Sequence, residues 1–315
     1  MRFFTVWCFM AWKNLFLITV RQFYRIEDLS LSIRFWVLKN TNLKIAFALL
    51  HLKRSLRLSN RRTRNLALVA EENHRCLMPE YEAIDFIATG QRRKLLDFAA
   101  TWGQNSKVLA QLDSCTAKLD EIVGPYHEAG KPIILAPMHT VSDILAGIVA
   151  GKVSPGHGTV VVSANAYEFQ KQDRLRGGVN LTYCSIHNHS EGIGSDIALA
   201  CMNAAALKTN IIIFPDMTPE YTYYSGVEHS SKLKCRLFNR PAHLHSGVSR
   251  LARLLNADVL FFNLYYDKGL RVNIFPVVHA RDVNDKMPII IERVIRSYPQ
   301  DWILWHLHSL YFFNE

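Results

Sequence analysis

The chain has six cysteines, at positions 8, 76, 115, 184, 201 and 235, and no two of them form a Cys-x-x-Cys pair. That scatter supports neither a disulfide framework nor a structural zinc site, and reduced thiols in a cytosolic setting are the simplest account. A glycine-rich phosphate loop is lacking, which removes the usual nucleotide-binding signature. A Gly-x-Ser-x-Gly elbow is lacking too, so neither Ser142 nor Ser195 reads as a hydrolase nucleophile. There is no repeat of fixed period and no low-complexity tract. Acidic residues are scarce: 27 Asp and Glu face 37 Lys and Arg, for a net charge of +10. Such a balance points to an anionic partner, whether nucleic acid, anionic lipid or an acidic protein. No RNA-recognition, KH or zinc-finger signature accompanies the charge, so nucleic acid is not expected.

What is present is a globular composition. Hydrophobic residues make up 49% and charged residues 20%, which excludes a disordered chain, and 315 residues suffice for a large core. Residues 3–20, FFTVWCFMAWKNLFLITV, are apolar apart from Thr5, Lys13, Asn14 and Thr19, and carry Trp7 and Trp12. This is about the 17–25 residues a helix needs to cross a bilayer. A central lysine costs about 2.5–3.5 kcal/mol on insertion scales. With no small-residue cleavage motif, an uncleaved anchor or an interfacial helix is expected, and a buried soluble helix is the alternative. Lys53, Arg54, Arg57, Arg61, Arg62 and Arg64, interleaved with Leu52, Leu56 and Leu58, form a basic amphipathic stretch. Such a stretch suits an anionic membrane surface.

Beyond about residue 40 the texture is that of an α/β body. Helices are expected over 80–88, 92–101 and 108–123. Short β-branched or aromatic runs at 133–136, 159–163, 210–214, 259–265 and 270–275 read as strands, with helices at 142–150, 167–174, 194–207 and 244–255 between most of them. Strands alternating with helices predict a mostly parallel sheet flanked by helices on both faces. The expected organisation is a membrane-associated segment over 1–40 and one α/β domain over 41–315.

In such a sheet, functional groups gather beyond the strand ends. The run KPIILAPMHTVSDIL, from Lys131 to Leu145, delivers His139 to the end of a strand, with Asp143 four residues on. A histidine oriented by a carboxylate can act as general base. Thr140 and Asp143 also fit a capping box, in which Asp143 closes a helix start, and a half-buried structural role is open to His139. The strand at 210–214 ends at Pro215-Asp216, and Asn165, Arg174 and Arg176 follow the strand at 159–163. These places are expected to line one cleft. Three His-x-His pairs, His187/His189, His243/His245 and His306/His308, have no acid or cysteine at ligand spacing, so no metal site is expected.

The ordered set of motifs resembles the late acyltransferases of lipid A biosynthesis (the LpxL/HtrB type), within the lysophospholipid acyltransferase superfamily. The residues that carry the likeness are His139, Arg174-Leu175-Arg176 and the run from Ala205 and Leu207 to Phe214-Pro215-Asp216. Leu237-Phe238-Asn239-Arg240-Pro241-Ala242 with Ser246-Gly247 and Leu251-Ala252-Arg253 follows, then Pro299-Gln300-Asp301-Trp302 with Trp305-His306. The likeness spans most of 130–306. Two positions depart from it. The family has an acid five residues after the histidine, where this chain has Ile144, and Met217 follows Asp216 in place of glutamine. These departures fit a divergent, capsule-associated branch.

The resemblance implies a glycerolipid acyltransferase-like fold with an N-terminal membrane segment, at the cytoplasmic face of a bacterial inner membrane. It implies transfer of an acyl chain from acyl carrier protein to a glycolipid, with no cofactor. His139, Asp143 and Arg176 would be catalytic; Arg174, Asp216, Asn165 and Arg240 would bind substrate. The alternative is a non-catalytic relative that binds lipid or serves polysaccharide export.

Overall fold

The structure is a computed structural model that describes residues 12–14, 39, 45–48, 61–162, 180–185, 193–217 and 232–307. Three helices lead into the sheet: α1 (Arg61–Leu77), α2 (Phe86–Ala100) and α3 (Ser106–Glu128). Then come β1 (Ile133–Pro137), α4 (Asp143–Lys152), β2 (His157–Val162), β3 (Asn180–Ser185), α5 (Ile193–Ala205) and β4 (Asn210–Ile213). A hairpin of β5 (Lys232–Leu237) and β6 (Arg240–His245) precedes α6 (Gly247–Leu255), β7 (Asp258–Tyr266), β8 (Leu270–Ile274) and α7 (Val283–Ser297).

Six strands form one sheet in the order β3-β2-β4-β1-β7-β8, and every pair is parallel except β7–β8. The α/β class and the mostly parallel sheet are therefore as expected. Strand alternation divides the core into two. Ile133 and Leu135 of β1, with Leu260 and Phe262 of β7, pack with Leu112 and Leu119 of α3 and Leu145 and Val149 of α4. Ile134 and Ala136, with Val259 and Phe261, pack with Ala204 of α5, Ala252 of α6 and Ile291 and Val294 of α7. The period of two sends successive residues to opposite layers, so a strand buried on both faces must be apolar throughout. All five residues of β1 are buried.

Local chemistry sets the helix starts. Asp85 caps α2 by accepting from Ala88 N–H, and Asn105 caps α3 by accepting from Lys107 and Val108 N–H. Helix α4 lies so close to β2 that a Cβ on Gly158 would stand 3.1 Å from Gly151 Cα and 2.5 Å from Ile212 Cδ1. A side chain there would have to push Ile212 aside and would crowd the Gly151 backbone, so glycine suits that approach.

Several boundaries differ from expectation. Residues 80–85 precede α2 as loop, because the Asp85 cap starts the helix at Phe86. The helix expected over 244–255 is a strand to His245 and a helix only from Gly247, since Leu244 pairs with Leu233 across the hairpin. Strand β3 was not anticipated; it pairs along its length with β2. The helix expected at 167–174 lies outside the described residues, as does most of 3–20 and all of 51–60. Among the described residues no helix is long and apolar enough to cross a membrane.

Candidate active site

Neighbouring parallel strands β1 and β4 end side by side. From β1 the chain runs through Met138 to His139; from β4 it runs through Phe214 and Pro215 to Asp216. The two side chains meet there. His139 Nδ1 lies 2.8 Å from Asp216 Oδ1, and the His139 backbone N–H donates to Asp216 Oδ2 at 3.0 Å. The indole N–H of Trp302 donates to the same Oδ2 at 2.9 Å. Three donors thus surround a carboxylate that is 0% exposed. With the carboxylate as acceptor, Nδ1 carries the proton and Nε2 is the basic nitrogen. The imidazole also rests on the Phe214 ring, centroid to centroid 4.4 Å.

This corrects the expected pairing of His139 with Asp143. Asp143 is the first residue of α4, and its carboxylate pairs with Arg93 of α2 instead. The capping box is corrected as well: the cap of α4 is Ser142, whose Oγ accepts from Leu145 N–H at 3.2 Å, and not Thr140. Asp143 is carried away from the imidazole because the chain between them is not helical. Ser142 N–H donates to Thr140 C=O at 2.6 Å across Val141, whose φ is +57°. A β-branched residue in that region is strained by on the order of 1–3 kcal/mol and persists only where neighbours hold it.

Segment 301–303 is what holds it. Val141 N–H donates to Asp301 C=O at 2.7 Å, Ile303 N–H donates to His139 C=O at 2.9 Å, and Thr140 bridges Trp302. Asp301 is itself buried and anchored: it pairs with Arg92 and accepts Tyr266 N–H at 3.1 Å. Burial pushes its carboxyl up, opposed by the Arg92 charge and the Tyr266 hydrogen bond. Trp305 stacks edge-on against Trp302 at 4.9 Å and fixes its own N–H on Pro299 C=O. Trp302 is therefore set before it reaches Asp216.

Beside this turn lies a second polar cluster. Ser142 Oγ donates to Asp97 of α2, and Arg93 stands between Asp97 and Asp143. Burial pushes the Asp97 carboxyl up to about 6, against the lowering effects of Ser142 and Arg93, and the Asp143 charge adds to the rise.

Of the remaining expected site residues, Arg240 is exposed at the start of β6, where its guanidinium donates to Cys76 C=O at 3.2 Å. Asn165, Arg174 and Arg176 lie outside the described residues. Asp216 was expected at the site, in a substrate-contacting role; it is the imidazole's partner. Trp302 and Asp301 were visible only as part of a motif, and Arg92, Arg93 and Asp97 carried no sequence signal at all. Among the described residues no group of three or more His, Cys, Asp or Glu is placed to hold a metal ion.

A cavity of about 690 Å³ opens beside Tyr266 at the end of β7, lined by Phe47, Tyr81, Asp85, Arg92 and Gln300 among others. His139 is not in its wall, but Arg92 and Gln300 join it to the segment that carries Trp302. No family model matches the chain and no curated protein matches it significantly.

Proposed function

We propose that the protein is a membrane-associated acyltransferase that uses His139 as general base, with Asp216 in the orienting role first assigned to Asp143. The observation that carries the reading is the His139–Asp216 contact at the ends of adjacent parallel strands, with Trp302 on the far carboxylate oxygen. Its substrates are an acyl thioester of acyl carrier protein and a glycolipid acceptor, either lipid A-like or a capsule-terminal sugar. The site of action is the cytoplasmic face of a bacterial inner membrane. This choice of substrates follows the motif resemblance and the basic charge.

In the reaction His139 Nε2 takes the proton of the acceptor's hydroxyl or amine as that atom attacks the thioester carbonyl carbon. The new C–O or C–N bond forms a tetrahedral oxyanion. Collapse breaks the C–S bond, and the proton held on Nε2 passes to the leaving sulfur. Asp216 keeps Nδ1 protonated and stabilises the imidazolium, which is worth about 10²–10⁴ in rate for a positioned base. Arg176, with Arg174 beside it in sequence, is the proposed source of positive charge for the oxyanion or for an acceptor phosphate. Asn165 and Arg240 are proposed to contact the substrate.

The test is mass spectrometry of lipids and glycolipids from cells carrying the wild-type chain or His139→Ala at matched expression. Loss of one acylated species with His139→Ala supports the enzyme and names the chain and acceptor by mass. Identical profiles support the second reading, a lipid-binding or polysaccharide-export component. One observation favours that alternative: Ile144 stands, 46% exposed, where the resembled family has its acid.

A further inference from the structure

Residues 232–257 contain six Lys and Arg and no Asp or Glu, so they hold a charge of +6 in a chain of net +10. The six are Lys232, Lys234, Arg236, Arg240, Arg250 and Arg253, and the fold leaves all of them exposed. Three alternate along β5, which puts them on one face of the hairpin; Arg250 and Arg253 lie three apart on α6, a spacing that gives them one face of the helix. Helix α6 packs between α5 and α7, and α7 in turn packs against β5, so hairpin and helices belong to one layer over one face of the sheet. The same layer exposes large apolar side chains. Leu199 and Met202 of α5 are 57% and 69% exposed, Leu254 of α6 is 68% and Ile289 of α7 is 56%.

From this we propose that the outer surface of the β5–β6 hairpin and helices α5, α6 and α7 rests on an anionic lipid surface. The cations meet headgroup phosphates, and Leu254, Met202, Leu199 and Ile289 enter the boundary beneath them. Charge complementarity decides the sign of the partner, because a 26-residue stretch without an acid repels a basic surface and attracts an anionic one. The distribution of apolar groups decides its kind. Leu254 lies beside Arg250 and Arg253 on α6, and Ile289 between Lys286 and Arg293 on α7, while Leu199 and Met202 flank them on α5, whose one charge is Asp196. Apolar groups spread over three helices suit a membrane interface, whereas a protein partner anchors its aromatic or aliphatic side chains in a pocket. No exposed aromatic side chain on this surface offers a platform for nucleic-acid bases, among the described residues. The proposal rests on the membrane association in the proposed function and names the surface that makes it; it does not depend on acyl transfer, since lipid contact requires no turnover.

The experiment places a photoreactive benzoylphenylalanine at Leu254 or Met202 of the full chain, and for comparison at Lys118, exposed on α3 across the sheet. Each protein is irradiated on vesicles of phosphatidylcholine, alone or mixed with phosphatidylglycerol, and the adducts are identified by mass. Lipid adducts at 254 and 202 but not at 118 are expected, stronger with phosphatidylglycerol. Replacing Lys232, Lys234, Arg250 and Arg253 by Glu should reduce them at least tenfold, with the thermal transition of the variant checked first. The substitution-free background of the crosslinking arm keeps the test valid if that variant misfolds. Equal adducts at 118 overturn the proposal, as do vesicle-bound chains with no adduct at 254 or 202. Adducts that shift to an added acidic protein or RNA in competition overturn it too.

Discussion

Asp216→Asn is the substitution that most sharply tests the dyad, because the structure dictates which way the new amide must face. Two N–H groups, those of the His139 backbone and the Trp302 indole, converge on Oδ2. An asparagine keeps both bonds only if its carbonyl oxygen occupies that position. Its NH₂ then occupies the Oδ1 position, 2.8 Å from His139 Nδ1. Facing a donor, Nδ1 must become the acceptor, and the proton moves to Nε2, where a base needs a lone pair. The variant should therefore fold, losing no more than about 1–2 kcal/mol because two of three contacts persist. Its transfer rate should fall by about 10²–10⁴, the worth of a positioned base. Asp143→Asn is the matched control. Its partnership with Arg93 is between side chains 40% and 33% exposed, and such pairs are worth about 0–1 kcal/mol, so the rate should stay within about fivefold. The assay is the initial rate of acyl transfer, or the acylated species in cells, beside a thermal melt of each variant. Near wild-type turnover in Asp216→Asn, or an equal loss in Asp143→Asn, would refute the assignment of Asp216 as the orienting acid.

Two other outcomes follow from the same geometry. Trp302→Phe removes the indole donor from Asp216 while keeping an aromatic ring against Trp305; a stability loss of about 1–3 kcal/mol and a rate loss of about tenfold are expected. A melt that drops while turnover per folded molecule is unchanged would make Trp302 purely structural. Asp97, raised from 3.8 to about 6, should be a liability at neutral pH. A folded pKa above the unfolded one means stability is fullest below about pH 4 and is lost as pH rises through about 6, a cost of roughly 3 kcal/mol by pH 7. Asp97→Asn should then stabilise the chain by on the order of 1–3 kcal/mol at pH 7.5 and make no difference near pH 4; chemical denaturation at both values reads this, and a destabilised variant at pH 7.5 contradicts it.

Much of the frame was legible in local pattern. A run such as Ile133–Ala136, apolar at every position and closed by Pro137, has few fates besides a doubly buried strand. The apolar spacing of 108–123 found its helix, which the structure extends to Ser106–Glu128. Leu244–Leu255 failed as one helix because its first residues are claimed by cross-strand pairing with β5, a contact the local period cannot register. Thr182 and Tyr183 gave too short a pattern to mark β3, whose strand state depends on β2 beside it.

At the site the division is sharper. The sequence by itself placed His139 at the end of one strand and Asp216 at the end of another, and it supplied the basic, acid-free stretch from Lys232 to Ala257. It favoured Asp143 as the imidazole's partner because proximity along the chain was the only distance available. Tertiary structure decided otherwise. Parallel pairing of β1 with β4 brings together residues 77 apart in sequence, and Arg93, 50 residues before Asp143, draws that nearer acid aside. The strained turn at Val141, clamped by Asp301 and Ile303, then aims the imidazole at the carboxylate that Trp302 holds. Strand order and the clamp from residues 301–303 are long-range contacts, and no local periodicity encodes which strand will be whose neighbour.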